Sequence, residues 1–487
     1  ATRLYLSHPY HGGSVGVLSG EQETVIALGS NVGDRLRNFD DALERMKKSG
    51  IRITGHGCLY ETAPAYVTDQ PHFLNSAIRG TTKLDPLRLL DVLKGIERDM
   101  GRCSGEAIRY GPRPIDLDIL FYGNQIVSTE ILTIPHERIW ERPFVLGPLV
   151  DLLGRDDDRS DAVESWHLLS GKSGGIFEAW EELGGASLVG TAGMKRVLPV
   201  ANKLWDWSDK TSIMGILNVT TDSFSDGGEF LTVDSAVSRV LSMVTEGADI
   251  VDIGAQSTRP MAPLLSPQQE LVRLIPVLEA VRNLPEMKGK LISVDTFYSE
   301  VASEAVKCGA DIINDVSAGK MDRDMHNVIA ALKVPYVAMH MRGNPTTMQS
   351  KANLNYDDVC KDVANELATQ FRDAEISGIP AWRMIIDPGI GFSKNTEQNL
   401  DIIGGLPTIR SEMRGKSLAM SHAPLLVGPS RKRFLGEICS RAVAAERDAA
   451  TVASVVTGVL GGANIVRVHN VRDNLDAAKF CDALLQR

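Results

Sequence analysis

No apolar run in the 487 residues is long enough to cross a bilayer, so the sequence offers no helical membrane span. A basic surplus is missing too: 52 Lys and Arg stand against 62 Asp and Glu, for a net charge of −10. Phosphate backbones need clustered Lys and Arg, so this balance argues against a nucleic-acid partner. A small phosphorylated ligand is not excluded, because it needs only a local basic pocket. Cysteine is sparse and scattered: Cys58, Cys103, Cys308, Cys360, Cys439 and Cys481 form no CxxC pair. That excludes a zinc-ribbon spacing and a disulfide frame, and it reads as reduced thiols. The chain opens on Ala1, in a Ser/Gly/His-rich stretch with little pattern, as a trimmed precursor would. A Walker phosphate loop is also lacking. "SGKS" (170–173) and "RGKS" (414–417) look like its end, but Trp166 and Arg410 stand where its first glycine is required.

What is present is the composition of a folded protein, 43% hydrophobic and 23% charged, and a length that predicts two or three domains. From Val25 the pattern alternates strand, helix, strand, strand, helix and strand, ending in "IDLDILFYG", and it fades after "RPFVLGPLVDLLG". The acidic "RDDDRSD" (155–161), a further helix and the Gly-rich "LGGASLVGTAGM" (183–194) follow, and the boundary is expected in that last segment. Beyond it, eight β-rich runs alternate with helical patterns: 212–219, 249–255, 291–296, 311–316, 336–341, 384–389, 425–430 and 465–470. That rhythm predicts a (β/α)8 barrel, with a doubly wound open sheet as the structural alternative. The resulting division is a tail (1–22), an α+β domain (23–185), a linker (186–194) and a barrel (195–487).

Two features point to chemistry. In "GPRPIDLDILFYG" (111–123), strand alternation puts Asp116 and Asp118 on one face. Like charges so placed need a shared positive partner. Oxygen ligands at i and i+2 suit Mg2+ carrying substrate phosphates, and Arg102, Arg109, Arg113, His136 and Arg142 supply charge for a triphosphate. A structural ion-pair network with the same arginines is the rival account. In the second half, polar residues end nearly every strand: Asn218, Thr258 with Arg259, Asp295, Asn314, His340, Asp387, Lys432, and Arg467 with His469. Barrel enzymes gather catalytic groups at that mouth. Arg467, His469 and Asn218 suit an anion with a metal, and the carboxylates Asp295 and Asp387 suit the N–H edge of a flat heterocycle.

The motifs "IALGSNVGDRLRN", "LYETAPAYVTDQPHFLN", "GPRPIDLDIL" and "LTIPHERIWERPFVLGPL" resemble hydroxymethyl-dihydropterin pyrophosphokinase over residues 25–153. The resemblance implies a ferredoxin-like fold and ATP as substrate, with two Mg2+ held by Asp116 and Asp118. It implies a pterin site at Gln70, Phe73, Asn75 and Phe144. It further implies an ATP side lined by Glu97, Arg102, Arg109, Arg113, His136 and Arg142, with Arg102 and Arg113 catalytic. The sequence departs from bacterial relatives at Ser104, Gly105 and Tyr110, in the loop expected to close over that side.

The motifs "MGILNVTTDSFSDGG", "DIGAQSTRP", "SVDT", "INDVSAG", "DPGIGFSK", "GPSRKRFLG" and "RVHNV" resemble dihydropteroate synthase over 195–487. That resemblance implies condensation of a dihydropterin pyrophosphate with p-aminobenzoate. It implies Mg2+ and pyrophosphate at Asn218 and the leaving group at Arg467 and His469. The pterin would lie on Asp295, Asn314, Asp387 and Lys432. The p-aminobenzoate site would be shaped by Thr258, Arg259, Phe392, Ser430 and Lys432. A loop with Asp222, Phe224, Ser225, Asp226 and Gly227 would close the mouth, Asp222 and Ser225 being catalytic. Together they imply a plant-like fused enzyme in mitochondria (the cytosol being the alternative), homo-oligomeric through its barrel and acting on small molecules. A pterin-dependent methyltransferase barrel and an inactive pterin-binding regulator are the competing readings.

Overall fold

The computed structural model describes residues 20–102, 111–154, 160–190, 193–219, 232–257 and 263–486. The expectations for Arg109, Asp222, Ser225, Thr258 and Arg259, and for the loop positions Ser104, Gly105 and Tyr110, lie outside these residues.

Strands β1 (Gln22–Ser30), β2 (Ile51–His56), β3 (Tyr60–Thr62), β4 (Phe73–Thr82) and β5 (Asp116–Tyr122) build the first sheet. β5 pairs with β1, β1 with β4, and β4 with both β2 and β3, all antiparallel. Helices Arg35–Lys48 and Pro86–Asp99 join β1 to β2 and β4 to β5, which gives the expected ferredoxin-like path. Asp34 and Asp85 cap these helices by accepting backbone N–H bonds from their first turns. Their apolar sides (Phe39, Leu43, Met46, Leu89, Leu93) meet Ile26, Leu28, Leu117 and Ile119 of the sheet. The other face packs on Pro143–Leu153, Asp161–Leu169 and Gly175–Glu182 through Leu146, Leu149, Trp166 and Trp180.

The second strand of the expected alternation from Val25, "ITGHGCLYETAP" (53–64), is two strands. Gly57 interrupts it, and a Cβ there would lie 2.5 Å from the carbonyl oxygen of Pro148. The helix Pro143–Leu153 therefore crosses the sheet at the break.

A two-stranded ribbon, β6 (Val127–Ser128) with β7 (Thr133–Ile134), follows β5. The described residues of the segment expected as a linker make backbone contacts. Gly190 and Gly193 adopt positive φ, the Gly190 N–H returns to the Met194 carbonyl, and β8 (Met194–Arg196) pairs with β3 as a sixth strand. The chain leaves this sheet at Val197, whose N–H bonds Leu59 O.

A hairpin, β9 (Leu198–Val200) and β10 (Lys203–Trp205), then precedes the barrel strands. These are β11 (Ser212–Asn218), β12 (Ile250–Gly254), β13 (Leu291–Asp295), β14 (Ile312–Asp315), β15 (Tyr336–Met339), β16 (Met384–Asp387), β17 (Leu426–Val427) and β18 (Ile465–Val468). They run parallel in the order β16-β15-β14-β13-β12-β11-β18-β17, and an Ile386–Leu425 bridge brings the ends together. The barrel, not the open sheet, is therefore the architecture. Leu198 and Val200 pack with Met214, Ile250, Ile312, Val337, Ile385 and Ile465, which stoppers the strand N-termini and leaves the C-terminal mouth for ligands.

Candidate active sites

The first site is a cleft of about 620 Å³ lined from β1, β4, β5 and the start of the helix Pro143–Leu153. Leu117 enters the core while Asp116 and Asp118 face the cleft, as alternation predicted. Arg102 and Arg113 reach the two oxygens of Asp116 at 2.5 and 2.7 Å. Among the described residues, the ion-pair partners of Asp118 lie farther off, Lys94 Nζ at 3.8 Å and His136 Nε2 at 3.9 Å. Burial works against ionisation of Asp116, but Arg113 and Arg102 outweigh it and hold the carboxyl below its usual range. Burial and then Asp116 push Asp118 up. Two described arginines thus pair with Asp116, and Asp118 is the less closely paired of the two. Glu97 accepts from Leu117 N–H at 2.7 Å and pairs with Lys94 and Arg102, so it braces the strand beneath the pair.

The residues expected to bind pterin lie in the same cleft: Gln70, Phe73, Asn75 and Phe144, with His136 and Arg142 also on its wall. Asn75 donates to Thr62 Oγ1 at 2.7 Å. Arg142 stacks over the rings of Tyr66 and Phe144. Asn31 was missed by sequence reasoning. Buried, it donates to Gln70 Oε1 (3.0 Å) and Pro71 O and accepts from Arg113 N–H (2.8 Å), tying the pterin side to the arginine side. Its position two residues after β1's last glycine, in "GSN", was the available signal.

At the barrel mouth the expected residues converge. Arg467 donates from Nε to Asp252 at 2.6 Å and from Nη2 to Asp295 at 2.8 Å, and Asn314 Nδ2 lies 3.3 Å from Asp252. His469 does not join it there: its Nδ1 meets Ser430 Oγ at 2.9 Å, and Ser430 also accepts the His469 N–H. Burial lifts Asp295 to about 7, against the pull of Arg467. Burial lowers Lys432 to about 7, with Asp387 opposing. Asp387 accepts the Gly389 N–H at 2.7 Å, and Lys432 donates to Ile390 O at 2.6 Å with its Nζ 4.0 Å above the Phe392 ring. Asn218 closes β11 opposite Gly254. Asp252, fully buried on β12, opens the motif "DIGAQSTRP" but was given no role, because its carboxylate stands inside the apolar run "DIVDIGA". The mouth therefore presents carboxyl, amide, ammonium and guanidinium groups around one space, suited to a flat heterocycle with an anionic leaving group.

The two "GKS" stretches do no phosphate work: one is the turn between helices Asp161–Leu169 and Gly175–Glu182, the other the end of helix Leu406–Lys416.

Two family profiles match the chain: "7,8-dihydro-6-hydroxymethylpterin-pyrophosphokinase (HPPK)" over 25–154 and "Pterin binding enzyme" over 214–469. A "Folate synthesis bifunctional protein, mitochondrial" of Arabidopsis thaliana is 68% identical over 474 residues, 97% of this chain and 85% of the relative. A Xanthomonas albilineans dihydropteroate synthase solved with 4-aminobenzoic acid is 37% identical, with a TM-score of 0.52, covering 60% of this chain and 99% of its own. Plasmodium falciparum HPPK-DHPS, solved with pterin and p-hydroxybenzoate, shares the fold at 23% identity, with a TM-score of 0.75 and 96% of each chain covered.

Proposed function

The chain belongs to the family of bifunctional folate-synthesis enzymes, a hydroxymethyl-dihydropterin pyrophosphokinase joined to a dihydropteroate synthase, and from that membership we propose how its residues divide the work. ATP donates a pyrophosphoryl group to the pterin hydroxymethyl oxygen in the first domain. The product then meets p-aminobenzoate at the barrel, which releases pyrophosphate.

In the first cleft, Gln70, Phe73, Asn75 and Phe144 hold the pterin, while Arg102, Arg109, Arg113, His136 and Arg142 face the triphosphate. Asp116 and Asp118 fit Mg2+ because Asp118, the less closely paired of the two, is placed to take a ligand. Asn218 is the corresponding oxygen donor at the barrel. When bound, magnesium supplies neutralisation of phosphate charge; two ions with ATP and one with pyrophosphate complete this reading. Transfer between oxygens needs alignment more than a covalent nucleophile, and the cleft walls provide it.

In the barrel, Asp295, Asn314, Asp387 and Lys432 grip the pterin, and Thr258, Arg259, Phe392, Ser430 and, again, Lys432 border p-aminobenzoate. Arg467 stabilises the departing pyrophosphate, with His469 contributing from its separate seat on Ser430, so positive charge can develop on the pterin methylene before the arylamine attacks. Asp222 and Ser225 close the mouth. The Arg467 bridge between Asp252 and Asp295 is the observation that carries this reading.

Exposed Leu460, Phe480 and Leu484 on the helices Asp448–Leu460 and Val471–Leu485 support homo-oligomerisation through the barrel. The relative's printed name supports a mitochondrial protein. The exit at Val197 supports domain limits at about 23–197 and 198–487.

An assay with ATP, Mg2+, hydroxymethyl-dihydropterin and p-aminobenzoate, scoring AMP and dihydropteroate separately, tests the division. Lys432→Ala and Asp387→Ala are expected to abolish dihydropteroate formation and spare AMP formation. Equal loss of both products in a folded variant would contradict separate sites.

A further inference from the structure

The loop after β16 is bent hard, with Gly389, Gly391 and Ser393 at φ of +71°, +81° and +45°. It is also packed tightly. A Cβ on Gly389 would stand 1.9 Å from the His340 carbonyl oxygen, and one on Gly391 would stand 2.4 Å from Lys432 Cδ. Two lysines hold its carbonyls. Lys432 takes Ile390 O from the mouth. Lys394, only 3% exposed, takes Gly389 O and Phe392 O, both at 3.0 Å, and also His340 Nδ1 at 3.1 Å. Those three acceptors use every N–H of an ammonium.

Behind Lys394 the contacts continue without a break. His340, fully buried, lies with Nε2 3.0 Å from Glu366 Oε2. A carboxylate only accepts, so Nε2 carries the hydrogen and Nδ1 is the acceptor for Lys394. Burial, and then Lys394, keep that ring neutral, with a pKa of about 3. Arg342 donates from Nε to Glu366 Oε1 at 2.7 Å and from its backbone N–H to Ser393 Oγ at 2.9 Å, so the chain of contacts returns to the loop.

We propose that Lys394, held by His340, Glu366 and Arg342, is a positioning residue for the arylamine substrate: it fixes the backbone that presents the Phe392 ring and the Ile390 carbonyl on which Lys432 rests. The proposal depends on the reading that Phe392 and Lys432 border the p-aminobenzoate site. Lys394 acts through the loop's carbonyls, so its removal shifts the loop and the seat of Lys432 on it, while Asp295, Asn314 and Arg467 keep their contacts on other strands.

Steady-state kinetics on the full chain, with each barrel substrate varied in turn, test this. AMP formation by the same preparation reports that the first domain is intact. Lys394→Met is expected to raise the KM for p-aminobenzoate about tenfold or more while that for the pterin pyrophosphate stays within about twofold. Glu366→Gln is expected to move the same constant in the same direction by less, and it decides the matter alone if Lys394→Met does not fold. Unchanged p-aminobenzoate KM in these variants, or equal shifts for both substrates, overturns the proposal. Phe392→Ala separates the two levels. A raised p-aminobenzoate KM there with silent Lys394 and Glu366 variants sinks the positioning role alone. A silent Phe392→Ala removes the underlying assignment, and the proposal with it.

Discussion

At the scale of single residues, the aspartate pair shows how far alternation reaches. It placed Asp116 and Asp118 on one face, and the structure agrees. It could not divide the arginines between carboxylate and phosphate, because that depends on loops that bring Arg102 and Arg113 to Asp116. Asp118, with no cation nearer than 3.8 Å among the described residues, is the member less tightly paired and so the better placed to take a ligand. Asp118→Asn is accordingly expected to lower AMP formation by at least about 100-fold and to leave dihydropteroate formation from supplied pterin pyrophosphate unchanged. Loss of both activities would mean a folding defect. Asp252 shows the opposite case: a carboxylate in a buried parallel strand has no periodic signature, and only the barrel brings it to Arg467. Glu270 is a third case, unused by either site. It is fully buried, and among the described residues neither carboxyl oxygen has a partner of good geometry. Burial lifts it to about 8, the Thr296 hydroxyl opposing and Asp295 adding. The folded chain therefore keeps a proton that the unfolded chain releases near 4.5, so stability falls as pH rises between about 4.5 and 8. Glu270→Gln is expected to flatten that fall, gaining up to a few kcal/mol at pH 8 and little at pH 5. Thermal melts at the two pH values check it, and an equal shift at both would refute it.

At the scale of elements, the eight barrel strands were legible because short β-rich runs separated by helical periods have few other meanings. Their lengths were less so: β17 is only Leu426–Val427, where the sequence continued strand-like to Ser430. The β9–β10 hairpin left no trace, since its strands have three residues each and its turn places Ala201 and Asn202 at positive φ without a glycine. The Gly-rich stretch before it read as a linker for the converse reason, its glycines serving a tight return rather than freedom. Gly57 combines both lessons. Its role is clearance for Pro148, not conformation, so Gly57→Ala must push the helix Pro143–Leu153 off the sheet. A loss of about 1–3 kcal/mol is expected, read as a lowered melting temperature. Phe144 opens that same helix, so the pterin KM of the first reaction should rise with it.

At the scale of the whole molecule, two enzymes on one chain could be beads on a string, and the contacts say otherwise. Trp382, from the short turn before β16, is 5% exposed within the first domain's core, edge-on to Phe39 (6.2 Å) and His56 (5.2 Å). Arg383 pairs with Asp40 at 3.0 Å, Glu375 accepts the His56 backbone N–H at 3.0 Å, and His422 meets Asp151 at 3.0 Å. Asp151 is itself gripped by the Cys58 N–H and the Tyr60 hydroxyl. None of this was legible in the sequence, because each partner lies hundreds of positions from the other and each looks locally like an ordinary core or surface residue. Its consequence is thermodynamic. A first domain whose core is completed by a barrel tryptophan loses about 3–5 kcal/mol when that ring is removed. It cannot melt without exposing the barrel face it covers. The intact chain is therefore expected to unfold in one calorimetric transition, which ligands of either site displace as a whole. In Trp382→Ala that transition should split, and a pterin or ATP analogue should then raise only the component belonging to the first domain. Two transitions in the unaltered chain would show that the interface adds less to stability than its burial implies.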